Sequence, residues 1–428
     1  MHSTTVDGPG DSVRGWLSMI DAKYFAAKAA DFYSALIYRF SKFIRLIANA
    51  LRGHVRMVRT ERMREKYPDC VGHSKSEEYK RVKPLIFDRN DYIKKSESMF
   101  HTPVVQSPEA WVHEIEGGYV AHEGLVITLD GSLIAECVVN RHRTLTFGLI
   151  VPISPTFNLS FYNYAEAEKT IEGRAAILSQ CGDENYGHWL VESLPRLLLI
   201  ERAYDISALK IILIDRNDKI NNVYVQSLAF LGVNPANIVW YKDLARVDRV
   251  IYASPVTIHP WIKSRICVEA LERIAQAVAS DGMSQHKKIY ISRNVDSPNR
   301  KMMNDAEIIE IVRRRGYEIV NCGNLTFEEQ VRMFSGATHI VGNLGAGFTN
   351  LAFSPRGVRI LALMSPLMED DFFYDLVSLK EGHYWAIHGD GCGLRQDYRD
   401  DFTINPERFS VIFAQFDTDS SPSMAFDA

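Results

Sequence analysis

Three groups of residues in this 428-residue chain have types and spacings that chemistry could use. The first is the run Gly342-Asn343-Leu344-Gly345-Ala346-Gly347-Phe348-Thr349-Asn350, which follows the apolar His339-Ile340-Val341 and opens a helical pattern. Glycine lets backbone approach a ligand closely, and a helix start offers unpaired N–H groups and partial positive charge to a diphosphate. A plain strand-to-helix turn would read the same way. The run is neither a Walker A loop nor a dinucleotide fingerprint, since it lacks GK[ST] and the required glycine spacing.

The second group is Asn185-Tyr186-Gly187-His188-Trp189-Leu190-Val191-Glu192-Ser193-Leu194-Pro195-Arg196. From a helix start near Gly187, His188, Glu192 and Arg196 recur every fourth residue and would share one face. A histidine beside a carboxylate can act as general base and orienting partner when an acceptor hydroxyl must lose its proton. Either His188 or Glu192 could be the base; an imidazole suits the task near neutrality, whereas a glutamate would need a raised pKa. Pro195 removes a helix hydrogen bond, and a surface ion-pair ladder is the plain alternative. The third group is Ile291-Ser292-Arg293, followed by Arg300, Asn304 and Glu307. Arg293 falls at the carboxyl end of a strand, where a guanidinium could read phosphate or tie down a helix carboxylate.

Other chemistries find little support. Asp417-Thr418-Asp419 has a DxD pattern but lies in the polar tail, and Glu369-Asp370-Asp371 reads as acidic charge at a helix start. No GxSxG elbow, HExxH pair or metal-spaced Cys/His cluster occurs, so no metal or cofactor is expected. Cys70, Cys137, Cys181, Cys267, Cys322 and Cys392 are scattered without a CxxC pair, as in a reduced cytoplasmic protein. A net charge of -4 gives no whole-chain argument for nucleic-acid binding. Neither a secretory signal nor ~18 uninterrupted apolar residues is present.

These side chains need elements to position them. From about residue 172, apolar runs alternate with helical patterns at 187–203, 219–231, 263–279, 304–315 and 326–335. Alternation of this kind predicts an α/β fold, with two doubly wound Rossmann-type domains facing across a cleft. The polar stretch Ser280-Asp281-Gly282-Met283-Ser284-Gln285-His286 separates the two sets. Residues 84–160 read as a β-rich lead-in, with strands at 119–121, 125–128 and 136–139 and turns at Gly117-Gly118 and Asp130-Gly131. Residues 14–66 read as helix, because Leu36, Phe40, Phe43, Ile44, Ile47, Leu51, Val55 and Val58 recur at threes and fours opposite basic residues. That face could pack on the body, join a second copy, or lie on an anionic membrane. The expected divisions are 1–83 (helical appendage), 84–282 (lead-in and first domain), 283–416 (second domain) and 417–428 (disordered tail).

In order and spacing, the three groups together resemble glycosyltransferase family 61, the DUF563 family of capsular and cell-surface polysaccharide biosynthesis. The resemblance runs over roughly residues 172–390. It implies a GT-B-like fold and an inverting transfer from a nucleotide sugar, such as a UDP-sugar, to a glycan or glycolipid hydroxyl on the cytoplasmic side. His188 and Glu192 would then be catalytic. Arg293, Arg300, Asn343, Gly345, Ala346, Gly347 and Asn350 would bind donor, and Asn185, Tyr186 and Arg196 would face acceptor. The family commonly has histidine immediately before Gly-Ala-Gly, where this chain has Leu344. That departure leaves open a non-catalytic scaffold that binds nucleotide sugar, and an epimerase is a further alternative.

Overall fold

The computed structural model describes residues 43–44, 47–88, 102–139, 150–279, 286–293, 299–370, 372–392 and 398–418. The protein is mixed α/β, with one large mixed sheet, one parallel sheet and helices between and around them. In the large sheet, β1 (Ala110–Ala121), β2 (Lys169–Ile177), β3 (Lys210–Ile214), β4 (Ile238–Tyr241) and β5 (Leu244–Ala253) lie in the order β4-β3-β2-β5-β1. Strands β2 to β5 are parallel, and β1 pairs antiparallel with β5. Short strands of the lead-in extend the sheet beyond β1.

The second sheet holds β6 (Lys287–Ile291), β7 (Glu318–Val320), β8 (Ala337–Asn343), β9 (Arg359–Met364) and β10 (His383–His388), in the order β7-β6-β8-β9-β10 and all parallel. Every residue of β9 is buried, the composition expected of a strand covered on both faces. A sixth strand, Leu85–Phe87, pairs in parallel with β10, so a segment from the lead-in completes this sheet.

Both strand orders reverse direction once, between β2 and β5 and between β6 and β8. Open α/β sheets bind ligands beyond the carboxyl ends of their strands at such reversals. The loops after these four strands carry the candidate site. The layers around it share one apolar core, in which Trp189, Leu271 and Ile274 from the first half meet Val331, Phe334 and Leu351 from the second. Two further clusters include the large sheet's Ile127, Ile177 and Val250, and the second sheet's Tyr290 and Leu361 with Phe413 of the helix Pro406–Thr418.

Helices at 186–200, Asp218–Phe230, Arg265–Val278, Asp305–Arg313 and Phe327–Ser335 lie within a few residues of the predicted spans. The predicted helix over 14–66 is corrected where it is described. Residues 47–51 are helical, but Gly53, with φ +74, ends the run, and His54 N–H bonds back to Asn49 O. Beyond it Arg56–Glu61 is a strand, antiparallel to Phe157–Ser160 and parallel to Ser132–Ile134. The β-branched Val58 points into the core there, and its exposed neighbours alternate with it. Gly117 and Gly118 sit inside β1, not in a turn, and Ala135–Cys137 is a 3-10 turn, not a strand. Residues 14–42, the separating stretch 280–285 and the tail from 419 lie outside the described residues. Asp417 and Thr418 belong to the last turn of the helix Pro406–Thr418, and the Asp417 carboxylate is taken by Lys288 (2.6 Å) and Tyr317 (3.0 Å).

Candidate active site

The helical segment 186–200 carries the first wall of the site. The Asn185 side chain caps it by accepting from Gly187 N–H at 2.9 Å. A Cβ on Gly187 would lie 2.7 Å from Thr349 Oγ1, so glycine here lets the segment rest against the 3-10 turn Ala346–Phe353 of the second half. Trp189–Ser193 then forms a π turn, with Leu194 N–H reaching Trp189 O at 2.8 Å. Pro195, which has no N–H, follows immediately, and the extra residue in the turn rotates what comes next. His188 Nδ1 and Glu192 Oε2 remain paired at 3.1 Å. Arg196 does not share their face. It is buried and donates to the carbonyls of Ala253 and Leu178, tying the helix to the ends of β5 and β2.

A residue the sequence did not single out completes this wall. His259, in the hairpin 257–263 after β5, places Nδ1 2.7 Å from Glu192 Oε1. Glu192 thus lies between two imidazoles, one on each oxygen, and is only 3% exposed. The rings of His188 and His259 are 4.9 Å apart, and Phe372 packs on both, at 5.8 Å and 6.4 Å. Burial pushes the Glu192 carboxyl up, but hydrogen bonds from His188 and His259, with their charges, outweigh it and hold the group at about 2.

The opposite wall is basic. Arg293 follows β6 and donates to Leu344 O at 2.7 Å, lying so close over Gly345 that a Cβ there would be 2.8 Å from its guanidinium. Arg300 is held by its backbone: Asn343 Nδ2 donates to its carbonyl at 2.7 Å, and its N–H bonds to Arg399 O at 3.0 Å. Its φ is +57, a conformation that non-glycine residues adopt mostly where surroundings enforce it. Burial, together with the Arg300 charge, lowers Arg293 to about 10, so it stays charged at neutral pH. Among the described residues no carboxylate pairs with either guanidinium. Asp305, at the nearby helix start, accepts instead from Tyr290 and Ser292.

Between the walls lies a cavity of about 590 Å³, lined by Asn185, Gly187, His188, His259 and Pro260 on one side and Arg300, Gly345, Ala346, Thr349, Met368 and Tyr398 on the other. Of the expected site residues, Asn185, His188, Arg300, Gly345 and Ala346 line it, and Glu192, Arg293, Asn343, Gly347, Asn350, Tyr186 and Arg196 do not. Tyr186 donates to Asn350 Oδ1 at 2.6 Å, and Asn350 donates on to Gln330 at 2.8 Å, so both join the halves together. Gly347 packs under Cys322. Asp370 caps the helix Phe372–Leu379 through Phe373 N–H at 2.9 Å, as acidic charge at a helix start. The Leu344 side chain is buried in the shared core; only its backbone serves the site, through Arg293.

Among the described residues, His188, Glu192 and His259 form the one group of acids, histidines and cysteines dense enough for comparison with an ion site, with donor atoms within 4.8 Å of one another. Both Nδ1 atoms, however, already bond the carboxylate, which accounts for the convergence without an ion.

A basic wall facing a histidine–carboxylate wall across one cavity suits transfer of a group from a diphosphate to a hydroxyl, the chemistry of a glycosyltransferase. The model of the family Glycosyltransferase 61 matches residues 186–361, which include His188, Glu192, His259, Arg293 and Arg300. Residues 186–361 are thus similar to glycosyltransferase family 61, a family that implies a sugar donor and an acceptor as substrates. Comparison with curated proteins finds no match.

Proposed function

We propose that the chain transfers a sugar, with inversion, from a UDP-linked donor to a hydroxyl of a glycan or glycolipid in cell-surface or capsular polysaccharide synthesis. The single observation that carries this reading is the cavity shared by the two strand-order reversals, with the Arg300 guanidinium, which has no carboxylate partner among the described residues, on one wall and His188 on the other. Two halves meeting this way support a GT-B-like arrangement, with acceptor on the 84–282 side and donor on the 283–416 side.

In the proposed reaction, the acceptor hydroxyl gives its proton to His188 Nε2 as its oxygen attacks the anomeric carbon. The bond from that carbon to the diphosphate breaks, and its electron pair leaves on the diphosphate oxygen. Arg293, Arg300 and the turn at 345–347 face that developing charge. Glu192, held ionised at about 2, is a weak base and serves to orient His188. No covalent intermediate, metal or cofactor is required. No helix among the described residues is long and apolar enough to cross a membrane. Exposed Phe43, Ile44, Ile47 and Leu51 support a contact with a membrane surface or a second copy at the cytoplasmic face.

The test is release of nucleoside diphosphate from a panel of nucleotide sugars, with and without acceptor. His188→Gln should lower kcat by roughly 10²–10⁴-fold, and Arg293→Ala should lower kcat/KM by about 10²–10³-fold. Near-normal turnover in His188→Gln would remove the base assignment. Donor turnover without acceptor would favour an epimerase, and binding without release a scaffold.

A further inference from the structure

One oxygen of Glu192 meets His188, from its own helix, and at 3.5 Å the amide of Gln180. The other oxygen belongs to His259, which arrives from a hairpin beyond β5 and lies 67 residues away in sequence. That hairpin is anchored independently of the helix. Lys263 N–H donates to Asp375 at 2.9 Å, Lys263 Nζ donates to Pro260 O at 2.7 Å, and Arg81 donates to Trp261 O. His259 is therefore fixed to the body of the protein, while Glu192 lies in a π turn.

We infer that His259 is a positioning residue, one that grips the outer oxygen of Glu192 so that the inner oxygen is aimed at His188 Nδ1 and His188 Nε2 faces the cavity. The inference rests on His188 being the base. A hydrogen bond to each oxygen removes the carboxylate's freedom to rotate, and an orienting carboxylate that can rotate no longer fixes the imidazole tautomer. The other groups nearest His259 are the buried Lys263 ammonium on its own hairpin and the Phe372 ring from the helix packed against it, with Asp370 and Arg300 lining the same cavity. None of them offers a second carboxylate oxygen to either ring among the described hydrogen bonds.

The experiment measures kcat and KM for the full chain with His259→Ala, His259→Asn and His188→Gln. His259→Ala should lower kcat by about 10-fold or more with the donor KM within about 3-fold, since Arg293 and Arg300 are untouched. The amide of His259→Asn can still donate to Glu192, so it should recover much of that kcat. Unchanged kcat in His259→Ala, or no recovery in His259→Asn, would overturn the inference. So would loss of wild-type turnover to a chelator and its return with Zn²⁺, since the three side chains would then be ligands. Failure of the base assignment itself would show separately, as normal turnover in His188→Gln.

Discussion

Glu192 is ionised in a place that would ordinarily keep a carboxyl protonated, and the two histidines are the reason. The ordinary value is 4.5 and the folded value about 2, so the group contributes stability above about pH 4.5 and loses that contribution as pH falls toward 2. The contribution is up to about 3 kcal/mol. Glu192→Gln should therefore be less stable than wild type near neutrality, and the difference should shrink steadily between pH 4.5 and pH 2, measured as urea midpoints along a pH series. A constant difference across that window would contradict the account. His188, Glu192 and Arg293 were legible in the sequence, because helix spacing and strand ends place them. His259 was not, since its partner is 67 residues away and no local pattern connects them. A lone histidine before a proline carries no such information.

At the scale of elements, the site depends on how closely the segment 186–200 lies against the turn Ala346–Phe353. Gly187→Ala would drive a Cβ to 2.7 Å from the buried Thr349 Oγ1, a contact that must be relieved by moving one element off the other. The expected cost is about 1–3 kcal/mol, as for overpacking elsewhere, with kcat reduced because His188 and Glu192 travel with the helix. Adding Thr349→Ala removes the obstructing hydroxyl and should recover most of both losses, which a double-mutant cycle in Tm and kcat would measure. Most helices could be placed from periodicity to within a few residues. The exceptions have local physical causes. Gly53 in a left-handed conformation stops the first helix and lets a strand follow, and the π turn ahead of Pro195 turns Arg196 inward. Periodicity counts 3.6 residues per turn and cannot register one inserted residue.

At the scale of the whole molecule, a buried charge cluster ties the halves together. Asp375, from the helix Phe372–Leu379, accepts from Arg81 Nε (2.8 Å), Tyr79 (2.8 Å) and Lys263 N–H (2.9 Å), uniting the lead-in, the His259 hairpin and the second half. Asp375→Ala would remove the buried carboxylate that Arg81, Tyr79 and Lys263 share, and should cost about 3–5 kcal/mol. Thermal unfolding of the full chain should show it, with loss of turnover at temperatures where wild type remains active. A Tm within a few degrees of wild type would mean the cluster is dispensable. Alternating strands and helices made both sheets foreseeable, but not that Leu85–Phe87, written into the chain far ahead of its partners, would enter the second sheet. That strand also governs the order of assembly on the ribosome. Leu85 pairs with Trp385, about 300 residues downstream, so at about 5–20 residues per second the early strand waits on the order of tens of seconds for the edge it must join. The second sheet closes only after β10 has been made, and a nascent chain cut short before β10 would leave β9 without its outer neighbour, a waiting template for another chain.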